Sequence, residues 1–127
     1  MFLTRDAFNS LIESHKQFYE DVLDGKLKDK RPDEILDTSG CKLGIFINHF
    51  QSRIYYYKHG DCDTLPALRV AHSDFHYYAS VIVLLQRLGA YVDTPITDIL
   101  REKKNAVITC MEICRDTCIP SDFEYDK

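Results

Sequence analysis

Apolar residues recur every three or four positions in four separate stretches of this chain, the spacing that gives an α-helix one buried stripe. Between residues 4 and 24 the stripe is Phe8, Leu11, Ile12, Phe18, Tyr19 and Val22. Residues 25–37 are charged and contain Pro32, which predicts a long surface loop. A second helix is expected over 39–57, with Leu43, Ile47, Phe50 and Ile54 on its stripe, followed by a turn cluster at 58–63. A third is expected from 64 to about 88. Thr64 suits the N-cap, Pro66 the first turn and Gly89 the C-cap region. The fourth opens with Thr94 as cap and Pro95 as first helical residue, and runs to the neighbourhood of Thr117, before Pro120. Strand signals are few, and there is no repeat or low-complexity tract. The pattern predicts an all-α fold, an antiparallel four-helix bundle, with residues 1–127 as a single domain.

Polar residues inside these stripes carry the chemistry. His15 falls within the first stripe, between Ile12 and Phe18. The third stripe reads Leu65, Leu68, His72, Phe75, His76, Ala79, Ile82, Val83. A lone histidine on an apolar face is commonly a core residue satisfied by a hydrogen bond. Three facing one core are another matter, because each imidazole needs partners for both nitrogens, and each unpaired group costs about 1–3 kcal/mol. One metal ion answers that need for all three. The i, i+4 spacing sets His72 and His76 one turn apart on one face, where both can reach one ion, and neutral imidazole suits zinc.

Cys41 is a candidate fourth ligand. It lies in the first turn of the second helix, just after Thr38-Ser39-Gly40, where the helix dipole favours the metal-binding thiolate. A small buried cysteine is the alternative. Gly44, one turn on, leaves room for a neighbouring helix or an ion.

Composition narrows the function classes. The formal net charge is −4 with both signs interspersed, and no basic face suggests nucleic-acid binding. No apolar run reaches the roughly 18 residues of a membrane span, and the N-terminal residues lack a signal-peptide core. A cytoplasmic protein without membrane or nucleic-acid partners is expected, with its five cysteines held as thiols.

A histidine in the first helix, then Cys41-Lys42-Leu43-Gly44-Ile45-Phe46, then His72-x-x-x-His76 on a third helix, resembles the chemoreceptor zinc-binding (CZB) domain family. The resemblance covers roughly residues 8 to 90. It implies a helical-bundle regulatory domain holding one Zn2+ through three histidines and one cysteine, which by motif are His15, Cys41, His72 and His76. It also implies a homodimer and signalling in bacterial chemotaxis or through diguanylate cyclases. The family senses zinc or oxidants such as hypochlorous acid, and Cys41 would be the redox-sensing residue. The family's usual tryptophan is Phe46 here, and no signalling or cyclase domain is present, so either a free-standing member or an excised domain is implied. The chain's start and its polar end lead us to expect the former.

The alternative is an enzyme: a metal-dependent hydrolase or thiol transferase resembling the DinB-type four-helix bundle, which also holds a metal with three histidines. A catalytic zinc keeps a position open, whereas a fourth protein ligand closes the site. Glu13 and Asp74 lie off the stripes, so no catalytic residue is assigned and a non-enzyme is expected. A di-iron bundle would need inward Glu-x-x-His pairs, which are absent. Cys110, Cys114 and Cys118 recur every four residues on the fourth helix, as a soft-metal stripe or as small core fillers. His59 with Cys62 reads as a solvated turn, Tyr55-Tyr56-Tyr57 as a partner surface or a cover for the bundle end, and His49 as a residue without a role.

Overall fold

The structure, a computed structural model, describes residues 5–38, 41–47 and 64–118. These residues form five helices and no strand. They are α1 (Arg5–Leu23), α2 (Pro32–Leu36), α3 (described over 42–47), α4 (Thr64–Arg87) and α5 (Thr94–Cys118). His49, Tyr55-Tyr56-Tyr57, His59 and Cys62 lie outside the described residues, as do Phe50 and Ile54 of the second stripe.

The helical stripes bury most of the expected residues, with Leu11 and Phe18 only partly buried and the side chain of Leu65 outside what is described. Phe8, Ile12, His15, Tyr19 and Val22 of α1 are buried. So are Leu68, Phe75, Ala79, Ile82 and Val83 of α4, and Leu43 and Ile47 of α3. α4 packs against α5, α2 and α1, and α1 also packs against α5. α3 joins α1 through Phe46, whose ring meets Phe8 edge-on with centroids 5.2 Å apart. Leu100, Val107, Met111 and Cys114 complete the core from α5. Cys114 is fully buried and Cys110 partly so.

Two glycines stop helices in the same way. The Lys26 N–H donates to the Asp21 carbonyl and the Gly25 N–H to that of Val22. The Ala90 N–H donates to the Leu85 carbonyl and the Gly89 N–H to that of Gln86. Both are Schellman motifs, and each needs the left-handed backbone that Gly25 (φ 75°) and Gly89 (φ 71°) adopt. The Gln86 side chain then donates to the Val22 carbonyl at 2.9 Å, tying the end of α4 to the end of α1.

Two expectations need correction. The stretch 25–37 is not all loop: Pro32 starts α2, Asp33 and Glu34 occupy its first turn, and Ile35 is buried. Proline at a first helical position followed by acidic residues is a helix start, and one buried isoleucine gives the short helix its anchor. The cap of α5 is also one residue earlier than expected. Asp93, not Thr94, caps it, its carboxylate accepting from the Ile96 N–H at 3.1 Å. Within the described residues, no helix is long and apolar enough to cross a membrane.

Candidate metal centre

α1 and α4 bring three imidazoles into the core. His15, His72 and His76 are each only 3% exposed. One ring nitrogen from each lies within 4.8 Å of the other two. The rings of Phe18 and Phe75 pack around them, with the His15 and Phe75 centroids 4.5 Å apart and those of Phe18 and His76 5.3 Å apart. α1 and α4 thus place three buried histidines around one internal point.

Burial sets their protonation. Removal from water pushes His15 and His72 down to about 3, with the neighbouring His76 as a secondary cause for both. Burial lowers His76 as well, against the opposing pull of its bond to the Ile35 carbonyl and of the Asp37 charge. All three are neutral near pH 7, the form in which imidazole binds a metal.

Hydrogen bonding then orients the rings. His76 Nδ1 lies 2.6 Å from the backbone oxygen of Ile35. That nitrogen therefore carries the proton and donates it, which leaves the Nε2 lone pair for another partner. His76 Nε2 faces His72 Nε2 at 3.1 Å. Neither ring nitrogen of His15 has a hydrogen-bond partner. A buried imidazole with two unsatisfied nitrogens is costly unless something else uses a lone pair.

Cys41 stands beside this cluster, its Sγ 3.6 Å from His72 Nε2. The distances can be tested against metal geometry. Two nitrogens on a tetrahedral zinc stand about 3.3 Å apart, and a nitrogen and a sulfur about 3.6 Å. The His72–His76 and Cys41–His72 separations are close to those two edges. Three histidines with a nearby cysteine are thus compatible with a zinc site. The orphaned nitrogens of His15 and the pre-set tautomer of His76 fit an ion at this point.

Gly44 is explained by its neighbours. A Cβ there would collide with the backbone carbonyl of Thr38 and lie 3.6 Å from His72 Cε1. The same carbonyl accepts from the Cys41 N–H at 3.2 Å, so the turn presenting the cysteine is folded against the glycine.

A cavity of about 580 Å3 borders the cluster and reaches His15, His76 and Cys41. Glu34 and Asp37 contribute carboxylates to its wall, and Lys30 and Lys42 contribute amines. The stripes give no hint of these four residues, nor of the Ile35 carbonyl, because they lie on or beside α2 or, for Lys42, at the exposed start of α3. The Pro32-Asp33-Glu34 helix start was the available signal. Glu13 and Asp74 are away from the site, paired with Lys16 and Lys103 respectively. Cys110 and Cys114 join no group of metal-binding side chains among the described residues.

Comparison of the chain with family models finds no match. No curated protein and no solved structure matches it either.

Proposed function

We propose that this chain is a cytoplasmic zinc-binding sensory domain of the CZB kind, with Zn2+ held by His15, His72, His76 and Cys41. The observation that carries the proposal is the convergence of three neutral, buried imidazoles on one point with a cysteine sulfur at the N–S distance of a tetrahedral zinc. The four-helix bundle expected from the stripes is the frame we propose for it, with α2 as an addition.

Cys41 is the oxidisable member of the set. At the start of α3, bound to a cation, its sulfur stays thiolate and is the group that oxidants attack. The thiolate takes the hydroxyl of hypochlorous acid as the O–Cl bond breaks and chloride leaves, so the sulfur, oxidised by two electrons, becomes a sulfenic acid, a weaker donor. With one ligand lost, zinc is held loosely and the start of α3 is released from α1 and α4. Through a homodimer interface, or a chemoreceptor or diguanylate cyclase partner, that local change becomes a signal.

The test is metal content. The purified chain should carry one zinc, and the His72→Ala, His76→Ala double variant should carry none. Cys41→Ser should bind zinc more weakly and should no longer release it at the oxidant dose that empties the wild type. Full zinc in the double variant, or unchanged oxidant release in Cys41→Ser, would overturn the assignment.

One observation favours a second reading. Glu34 and Asp37 on the cavity wall stand near the histidines, as the general base of a DinB-like hydrolase or thiol transferase would. X-ray absorption separates the two: three nitrogens and a sulfur for the sensor, three nitrogens and water for the enzyme.

A further inference from the structure

Metal binding accounts for only half of the His15 ring. The side chain is 3% exposed, and neither of its nitrogens has a hydrogen-bond partner. One nitrogen serves as the zinc ligand proposed above. The other then carries the ring proton, and metal-bound imidazoles hold that N–H on an acceptor. Among the described residues no acceptor meets it.

His15 lines the cavity of about 580 Å3, and Cys41 lines it too. That volume lies in the range that takes an organic molecule, and is far more than hypochlorous acid needs. Leu11, Phe18, Ile35 and Leu43 make part of the wall apolar. Lys30, Lys42, Glu34 and Asp37 are exposed and bring two charges of each sign, so the wall favours no net charge in an occupant. The fitting molecule is therefore uncharged, with an apolar body and an oxygen that accepts from the free N–H of His15. It also lies beside Cys41, the sulfur read above as the oxidisable group. An organic hydroperoxide joins these properties.

We propose that the cavity binds an organic hydroperoxide, its body against the four apolar side chains and its carbon-bound oxygen on the His15 N–H, and that Cys41 reduces it. The zinc keeps its four protein ligands while the hydroperoxide binds. The Cys41 sulfur attacks the outer oxygen: the S–O bond forms, the O–O bond breaks, and the electron pair leaves on the alkoxide, next to the His15 N–H. The alkoxide takes a proton from water and departs as the alcohol. Cys41, oxidised by two electrons, is left as the sulfenic acid. The proposal rests on the zinc and Cys41 reading above and names the oxidant class of that site.

The test uses the full zinc-loaded chain with hydrogen peroxide and with ethyl, butyl and hexyl hydroperoxide. Dimedone trapping with mass spectrometry reads sulfenic acid at each cysteine, and glutathione gives each peroxide's own reactivity. Relative to glutathione, the rate at Cys41 should rise about fourfold per added methylene, the equilibrium factor for burying one. Ser14→Phe and Leu11→Phe, which narrow the cavity, should flatten that rise. Hexan-1-ol, the unreactive product, should move the ring N–H resonance of His15 in chain labelled with 15N-histidine. A rate at Cys41 that ignores chain length, an undiminished rise in both narrowed variants, or earlier oxidation of another cysteine would overturn the proposal. So would a His15 resonance that hexan-1-ol leaves in place, since water alone would then serve that N–H. In each of these cases zinc release by hypochlorous acid would leave the sensor reading standing. A chain that holds no zinc, or that keeps it under hypochlorous acid, would overturn that reading and this proposal with it.

Discussion

Each buried neutral imidazole makes the fold sensitive to acid. His15 and His72 titrate near 3 in the folded chain and near the ordinary 6.5 once unfolded. Between those values the unfolded chain binds more protons, so stability rises with pH across the window. The contribution is complete above about pH 6.5 and is lost as the pH falls toward 3. Each of the two histidines accounts for about 1.4 kcal/mol per pH unit inside it. The metal-free protein should therefore show a falling urea midpoint between about pH 7 and pH 5, with a shallower fall in His15→Phe, which removes two unpartnered nitrogens and keeps the ring's bulk. An identical midpoint at both pH values would contradict this account.

At the scale of elements, the histidines were legible because a period of three to four residues runs through both α1 and α4, and any polar residue on such a stripe is conspicuous. α2 was not legible, since its five residues are too few to display a period, and its one buried side chain is hidden in a charged context. Its contribution to the site is a backbone carbonyl, which no side-chain pattern encodes. The cap of α5 was misplaced by one because Asp93 and Thr94 are both good caps, and only the carboxylate's reach to the Ile96 N–H decides between them. Gly44 was legible as a place of close approach, though the approaching group is the Thr38 carbonyl. Gly44→Ala should push that carbonyl away and move Cys41 with it, since the two are bonded through the Cys41 N–H. The expected cost is about 1–3 kcal/mol in chemical denaturation, together with weaker metal retention against a chelator. Wild-type values for both would show that the turn relaxes freely.

For the molecule as a whole, α4 has a second apolar face. Val70, Tyr77 and Leu84 are exposed at intervals of seven residues, and Leu88 at the helix end joins them. Tyr77 is 53% and Leu88 71% exposed. With Asp74 and Val81 these positions form the alternating three- and four-residue spacing of a helix–helix seam. The homodimer proposed above would pair two such faces about a two-fold axis. Sedimentation should find a dimer at micromolar concentration, and the Tyr77→Glu, Leu84→Glu double variant should be monomeric with its metal content unchanged. A wild-type monomer would remove the dimer and leave this face to another partner.

If the cluster holds an ion as proposed, the bond from His76 to the Ile35 carbonyl gives α2 control over the timing of its release. α2 has five residues and one buried side chain, so it should open locally far more often than the whole chain unfolds. Each opening takes away the acceptor that fixes the His76 ring. Metal departure should then follow the opening rate of α2 as well as the strength of the ligands. Amide hydrogen exchange at Ile35 and Asp37 and zinc transfer to an excess of chelator should share one rate constant, and Ile35→Ala should speed both about 30-fold or more. Transfer that stays slow while those amides exchange faster would separate the two events. If they move together, the residence time of the ion is written in a helix that contributes no ligand.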